Sequence, residues 1–182
     1  MGRIEVICGP MFSGKSEELL RRLKRADIAK RKSQLFKPEC DKRYSETEVA
    51  THSGQKRKCE IVEKNREEEI LKAVYTDTEV VALDEAQFFG DYITSVALAL
   101  SKAGKRVIVA GLDMDSNGYP FGPMPQLLAV AEDITKLTAV CEMCGDPATH
   151  SYRKAESKDL VLVGAAGMYE ARCRTHWQQG LG

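Results

Sequence analysis

A glycine-rich segment at residues 9–16, with the sequence GPMFSGKS, constrains this chain more than any other feature. It matches the pattern G-x4-G-K-[S/T], which binds phosphates where it joins a strand to a helix. The preceding residues 3–9 are apolar and β-branched, which predicts a strand, and leucines at helical spacing predict a helix from residue 15 to about residue 32. The segment therefore lies in the context that a phosphate-binding loop requires.

In such a loop, backbone N–H groups point at phosphate oxygens, and the start of the helix adds partial positive charge. Lys15 is predicted to bridge the β- and γ-phosphates of ATP, and Ser16 to ligate magnesium. A glycine-rich turn that merely caps a helix is the alternative, which the flanking strand and helix disfavour. The residues predicted to bind ATP with magnesium are Gly9, Pro10, Met11, Phe12, Ser13, Gly14, Lys15 and Ser16.

Strands that alternate with helices predict an α/β fold with a mostly parallel central sheet. The predicted strands lie at residues 34–37, 79–84 and 106–112, and the predicted helices at 92–102 and from 123 to about 134. The polar residues 39–58 are predicted to form a long mobile loop. Short strand-like pieces follow at 136–140, 148–153 and 160–163. The predicted domains are therefore residues 1–135 and 136–182.

The apolar strand at 79–84 ends in two carboxylates, Asp84 and Glu85. Neighbouring strand residues face opposite ways, so one carboxylate can face magnesium and the other an acceptor hydroxyl. Glu85 is the predicted general base. A solvated acidic strand end is the alternative, which the nearby phosphate loop disfavours. Asp113, after the next strand, is interpreted as a loop or capping residue.

Two short spacings, Cys141-x-x-Cys144 and Cys173-x-x-His176, supply three thiolates and one imidazole. Two such pairs predict a closed tetrahedral zinc site, and a closed site is structural because it leaves no position open for water. Four reduced residues without a metal are the alternative.

The chain has 27 basic and 27 acidic residues and a formal net charge of +0, which disfavours nucleic acid or an anionic membrane as a partner. No apolar run approaches the roughly 20 residues of a membrane span, and no secretory signal is visible. A cytoplasmic location with reduced cysteines is expected.

Taken together, these segments resemble the zinc-containing, or type II, thymidine kinases over nearly the whole chain. The blocks that carry the resemblance are GPMFSGKS at 9–16, DKRYS at 41–45, THSG at 51–54, DEAQFF at 84–89, GLD and PFG within 111–122, KLTAVCEMCG at 136–145 and GMYEARCRTH at 167–176. The resemblance implies a RecA-like α/β domain, a small zinc-binding domain, and a lasso at about 159–172 that closes over a nucleoside.

The implied activity is ATP-dependent phosphorylation of the 5′-hydroxyl of thymidine, and of deoxyuridine, for nucleotide salvage, with Glu85 as the proton acceptor. The resemblance also implies a homotetramer and feedback inhibition by thymidine triphosphate. Besides the phosphate loop, it assigns Asp41, Arg43, Asp84 and Gln87 to ATP and magnesium. It assigns Phe88, Phe121, Val163, Gly164 and Tyr169 to the nucleoside.

Two departures from the family concern Ser116 and His176. The family commonly has an aromatic residue at the position of Ser116, so either Phe121 or Tyr119 fills that space or the affinity for nucleoside is lowered. His176 stands where a fourth cysteine is common, and imidazole also ligates zinc.

The sequence leaves two other functions open. One is a P-loop ATPase whose zinc knuckle binds nucleic acid, which zero net charge and the lack of an aromatic-rich basic groove disfavour. The other is a non-catalytic zinc scaffold, which the presence of Lys15, Ser16, Asp84 and Glu85 disfavours.

Overall fold

A six-stranded sheet forms the centre of the protein. The structure, a computed structural model, describes residues 2–39, 48–50, 56–154 and 167–180. In chain order the elements are β1 (Arg3–Cys8), α1 (Lys15–Ile28), β2 (Ser33–Pro38), β3 (Glu48–Ala50), β4 (Lys56–Lys58), β5 (Glu60–Val62), α2 (Glu68–Ala73), β6 (Val80–Leu83), a 3₁₀ turn (Ala86–Phe88), α3 (Ile93–Lys102), β7 (Arg106–Gly111), α4 (Met124–Val130), β8 (Asp133–Lys136), β9 (Ala139–Val140), β10 (Pro147–Ala148), β11 (His150–Arg153), β12 (Tyr169–Arg172) and α5 (Arg174–Gln179).

The order of strands in the central sheet is β5-β2-β6-β7-β1-β8, and every neighbouring pair is parallel. The carboxyl ends of parallel strands lie at one edge of the sheet, where open α/β folds bind ligands. Strand β7 lies between β1 and β6, so the segments that follow β1 and β6 flank the end of β7. The prediction of an α/β fold with a mostly parallel sheet is confirmed.

Helices cover both faces of this sheet, which explains the continuous apolar runs of its central strands. All four residues of β6 are fully buried. Helix α1 packs Leu19 and Leu23 against one face, together with Ile7 of β1. Helix α3 packs Ile93 and Val96 against the other face. The helical spacing of the apolar residues predicted both helices, but α1 ends at Ile28, about four residues before its predicted end.

Beyond β1, the sheet extends one strand further than the sequence predicted. The helix predicted to reach residue 134 ends at Val130, and β8 pairs with β1. Two hydrogen bonds between Glu132 and Ile4 hold the start of β8 beside β1. The backbone N–H of Glu132 donates to the Ile4 carbonyl at 3.0 Å, and the Glu132 carboxylate accepts the Ile4 N–H at 2.6 Å. These bonds join residues far apart in sequence, and helical spacing carries no sign of them.

The predicted loop at residues 39–58 is wrong in part, because β3 and β4 pair as an antiparallel ribbon. Strand β5 and helix α2 were also not predicted. Beyond β8, β9 pairs with β10 and β11 with β12, both antiparallel. Strand β8 carries the central sheet to Lys136, one residue past the predicted domain boundary.

Within the described residues, no helix combines the length and the apolar character needed to cross a lipid bilayer.

A buried carboxylate, that of Glu5, joins β1 to α1 and β7. It accepts hydrogen bonds from Arg22 at 2.8 Å and from Arg106 at 2.7 and 2.9 Å, and Arg3 lies 2.7 Å away. Burial acts to raise the pKa of Glu5, but the hydrogen bonds and charges of the arginines outweigh it and hold that pKa below its ordinary value of 4.5. The charged form of Glu5 therefore stabilises the fold.

We predict that Glu5→Ala lowers the free energy of unfolding at pH 7 by about 3 kcal/mol, because it leaves Arg22 half-paired in the core. Since the pKa of Glu5 is lower in the folded chain, its contribution is complete above the ordinary pKa and is lost as the pH falls through the folded pKa. Urea titrations from pH 7 to pH 3 should show the difference from wild type shrinking below pH 4.5. Exposed Glu79→Ala is the control; an equal loss for both variants would contradict the prediction.

Candidate active site and metal centre

The loop at residues 9–16 follows β1 and leads into α1. Gly9 and Gly14 have φ values of 146° and 82°, which favour glycine. A Cβ at Gly9 would lie 2.4 Å from the Leu137 carbonyl oxygen, so a side chain does not fit there. The Ser13 hydroxyl donates to the Pro10 carbonyl at 2.8 Å and closes the loop. The geometry is that of a phosphate cradle at a helix N-terminus.

Lys15, the first residue of α1, is half-buried, and its Nζ donates to the Pro10 carbonyl at 2.7 Å. Burial lowers the pKa of Lys15. The negative charges that oppose this shift belong to Glu85, Asp84 and Asp113. The structure therefore brings the loop lysine and three carboxylates to the same edge of the sheet.

Asp84 lies directly after β6 and is buried, with its Oδ1 accepting the backbone N–H of Glu85 at 3.0 Å. Burial and the neighbouring charge of Glu85 raise the pKa of Asp84. Glu85 is half-buried and left-handed, with φ 51° and ψ 40°. The sequence predicted that Asp84 and Glu85 face opposite ways as neighbouring strand residues. Both lie beyond the strand, which ends at Leu83, so strand alternation does not orient them.

Gln87 was assigned to ATP and magnesium, and the structure places its amide between Glu85 and the end of β7. Its Nε2 donates to the Glu85 carboxylate at 2.5 Å, and its Oε1 accepts the backbone N–H of Leu112 at 2.9 Å. No sequence pattern indicates this bridge, because the turn that follows Glu85 sets the position of Gln87.

Asp113 lies just past β7, between the loop and the carboxylates that follow β6. Its Oδ2 pairs with Lys136 Nζ at 2.7 Å. Its Oδ1 is buried and has no hydrogen-bond partner among the described residues. Asp113 lies in the loop after β7, in line with its interpretation as a loop or capping residue, and its place at the end of a neighbouring parallel strand brings it to the same edge of the sheet.

The side chains at this edge suit magnesium. Ser16 and Asp84 offer oxygen ligands, which Mg²⁺ prefers. A divalent cation beside Asp84 would lower the pKa that burial has raised. Both residues were predicted to contact ATP with magnesium.

An aromatic pair lies at the same edge. The rings of Phe88 and Phe121 meet edge to face, with their centroids 5.5 Å apart. Phe121 is half-buried, whereas Tyr119 is 68% exposed. Phe121 and Tyr119 were the two residues suggested to fill the space of an aromatic side chain at position 116. Only Phe121 of these two packs against another aromatic ring among the described residues, that of Phe88.

The remaining predicted residues for ATP and for the nucleoside divide into two groups. Tyr169 begins β12, and its hydroxyl accepts a hydrogen bond from Arg153 at 2.9 Å. The other predicted residues lie outside the described residues; they are Asp41, Arg43, Val163 and Gly164. Most of the predicted lasso lies there too.

The four predicted zinc ligands converge, with their ligand atoms all within 4.8 Å of one another. Cys173 Sγ lies 3.2 Å and Cys141 Sγ 3.8 Å from His176 Nδ1. Cys144 and Cys173 have their sulfurs 3.9 Å apart. A tetrahedral zinc with bonds of about 2.3 Å separates its sulfur ligands by about 3.8 Å. The cluster therefore fits zinc, as the spacing predicted.

The elements around this cluster contact the loop at 9–16 directly. Ser151 of β11 is buried, and its Oγ accepts the backbone N–H of Met11 at 3.0 Å. No sequence pattern indicates this contact of Ser151.

Trp177, which follows the predicted zinc ligand His176, makes a second contact between the metal cluster and the carboxyl edge of the central sheet. Its indole N–H donates to the Ser116 carbonyl at 3.1 Å, and its ring stacks on His150 at 4.6 Å. A Cβ at Gly118 would lie 2.7 Å from the Trp177 ring. The metal cluster is thus joined to the segment that follows β7.

A family model described as thymidine kinase matches residues 2–177, nearly the whole chain. Among solved structures, domain III from the Thermotoga maritima replication initiation protein DnaA is similar at 10% sequence identity and a TM-score of 0.46. That alignment covers 75% of this chain and 55% of that chain, so this chain spans about half the length of the solved one. So weak a likeness bears on neither fold nor function.

We predict that removing the metal exposes Trp177, because the helix that carries it also carries His176. Trp177 is the single tryptophan of the sequence and is 9% exposed, so its fluorescence reports on this contact alone. A chelator should shift the emission to the red and lower the melting temperature, and added zinc should reverse both. Chelator saturated with zinc is the control. Unchanged emission after complete removal of zinc would contradict the prediction.

Proposed function

The chain belongs to the thymidine kinase family, and on that premise we propose that it transfers the γ-phosphate of ATP to the 5′-hydroxyl of thymidine, with Glu85 as general base. The observation that carries the proposal is the position of Glu85 at the edge of the sheet where Lys15 begins α1. The Glu85 charge acts on the Lys15 ammonium, which supports placing a phosphate bound by Lys15 on the same side of the sheet as this carboxylate.

The loop at 9–16 binds the phosphates in this proposal. Its backbone N–H groups and the start of α1 face the phosphate oxygens. The Lys15 ammonium exchanges the Pro10 carbonyl for a phosphate oxygen, which carries more negative charge and forms the stronger hydrogen bond. Magnesium, held by Ser16 and Asp84, would offset the charge that develops during transfer.

Glu85 accepts the proton of the 5′-hydroxyl. The oxygen then forms a bond to the γ-phosphorus, and the bond between that phosphorus and the β–γ bridging oxygen breaks, which releases ADP. General-base catalysis needs the carboxylate within hydrogen-bond reach of the hydroxyl. Gln87 donates a hydrogen bond to the Glu85 carboxylate at 2.5 Å, which supports a fixed position for that carboxylate.

The finer features of the family belong to the same proposal. They are activity on deoxyuridine, a role in nucleotide salvage, inhibition by thymidine triphosphate, a homotetramer and a cytoplasmic location. Contacts of Asp41 and Arg43 with ATP, and of Val163, Gly164 and Tyr169 with the nucleoside, are also proposed. The zinc cluster supports a structural role, since four protein ligands leave no open position.

A nucleoside panel tests the activity. Purified protein is incubated with Mg²⁺, ATP labelled at the γ-phosphate, and single nucleosides. We expect label in thymidine monophosphate and deoxyuridine monophosphate, and far less in purine or cytosine products. Hydrolysis of ATP that does not depend on nucleoside and rises with single-stranded DNA would contradict the proposal and favour the nucleic-acid ATPase.

We predict that Glu85→Gln lowers turnover by about 10²–10⁴-fold, the usual contribution of a general base. Dissociation constants for ATP and thymidine should stay within about threefold, because the amide keeps the size of the side chain. Calorimetry and steady-state kinetics measure the two effects separately.

Glu67→Gln is the matched control. Glu67 is a buried carboxylate near the 3₁₀ turn, and it accepts the Gly90 N–H at 2.6 Å. Its variant should turn over within about threefold of wild type. Unchanged turnover in Glu85→Gln would remove Glu85 from the role.

A further inference from the structure

We propose that Gln87 is a positioning residue that holds the Glu85 carboxylate in its reactive orientation and does not itself bind ATP or magnesium. The inference rests on the proposed role of Glu85. Gln87 acts through Glu85 alone, so its contribution to turnover exists only while residue 85 is a carboxylate.

The hydrogen bonds fix the orientation of the Gln87 amide. The backbone N–H of Leu112 can only donate, so the amide atom 2.9 Å from it is the oxygen. The NH₂ group therefore faces Glu85, where Nε2 lies 2.5 Å from the carboxylate. One end of the amide is anchored on backbone at the end of β7, and the other end holds Glu85.

The surroundings of Gln87 keep this amide in place. Gln87 is 3% exposed. A Cβ at Gly111 would lie 2.9 Å from its Oε1, and a Cβ at Gly122 would lie 2.3 Å from its backbone oxygen. The absence of side chains at Gly111 and Gly122 therefore makes space for Gln87, and its buried side chain has little freedom to rotate.

Glu85 needs such a partner because of its backbone. Its left-handed conformation takes the chain out of β6 into the 3₁₀ turn, and non-glycine residues adopt it at a cost. The turn brings residue 87 back beside residue 85. A half-buried glutamate without a partner would populate several rotamers, of which few point at a substrate hydroxyl.

An amide suits this task better than a charged group. It donates to the carboxylate without adding a charge that would neutralise the base or repel the phosphates. Its oxygen, the atom suited to magnesium, already accepts from Leu112. These contacts favour a positioning role over the ATP and magnesium contact that the sequence predicted for Gln87.

The test uses Gln87→Met and Gln87→Glu in the full chain. Met removes both hydrogen bonds, whereas Glu keeps the acceptor for Leu112 but replaces the donor to Glu85 with a second carboxylate that repels it. Both variants should lose roughly 10–100-fold in kcat, the size expected when a reacting group is displaced by about 1 Å. For Gln87→Met, which adds no charge, dissociation constants for ATP and thymidine should stay within about threefold, because in this proposal Gln87 contacts neither.

Gln34→Met is the matched control. Gln34 is a buried amide that also joins a carboxylate, Glu60 at 2.9 Å, to a backbone N–H, Tyr75 at 2.9 Å, but at the opposite edge of the sheet. Loss of such a bridge there should lower stability and leave kcat within about twofold.

A double substitution decides the question. In the Glu85→Gln background, Gln87→Met should cost no further turnover beyond about twofold, because residues that act as a unit are not additive. A further loss as large as in wild type, a weakened ATP affinity of Gln87→Met, or full activity of both Gln87 variants would overturn the inference. If Glu85→Gln itself is fully active, the proposed general base fails first, and that outcome is distinguishable from failure of Gln87 alone.

Discussion

The order of the strands is the constraint on which the candidate site depends. Because β7 lies between β1 and β6, the loop that carries Lys15 and the carboxylates of Asp84 and Glu85 lie on either side of one strand end. Burial disfavours the Lys15 ammonium and lowers its pKa, and the nearby carboxylates oppose this shift only in part. A phosphate bound to Lys15 would add negative charge that favours the ammonium form. The site also concentrates carboxylates, so that a polyphosphate needs a cation to bind beside them.

The metal cluster supports the same edge from outside the sheet. Ser151 accepts a hydrogen bond from Met11 in the phosphate loop, and Trp177 lies on Gly118 in the segment after β7. A metal that ties α5 to the ends of β9 and β12 thus stabilises two segments that border the site. These contacts link the metal cluster to the phosphate loop and to the segment after β7.

What the sequence could predict was set by short-range spacing. The loop at 9–16 and the two Cys/His pairs are local patterns, and the structure places each where its chemistry requires. Strand β8 was missed because Glu132 is fixed by Ile4, a partner at the far end of the chain. The bridge through Gln87 was missed because it depends on the left-handed turn at Glu85 and on the backbone of Leu112. Contacts of this kind follow from the packed sheet and leave no periodic trace in the sequence.

The most direct test of the account is a crystal structure of the protein with Mg²⁺, thymidine and an ATP analogue that cannot transfer its phosphate. We expect a Glu85 carboxylate oxygen within about 3.2 Å of the 5′-oxygen, with that oxygen in line with the γ-phosphorus and Lys15 on the phosphates. A 5′-oxygen hydrogen-bonded to Asp113 or to water, with Glu85 turned away from the sugar, would contradict it.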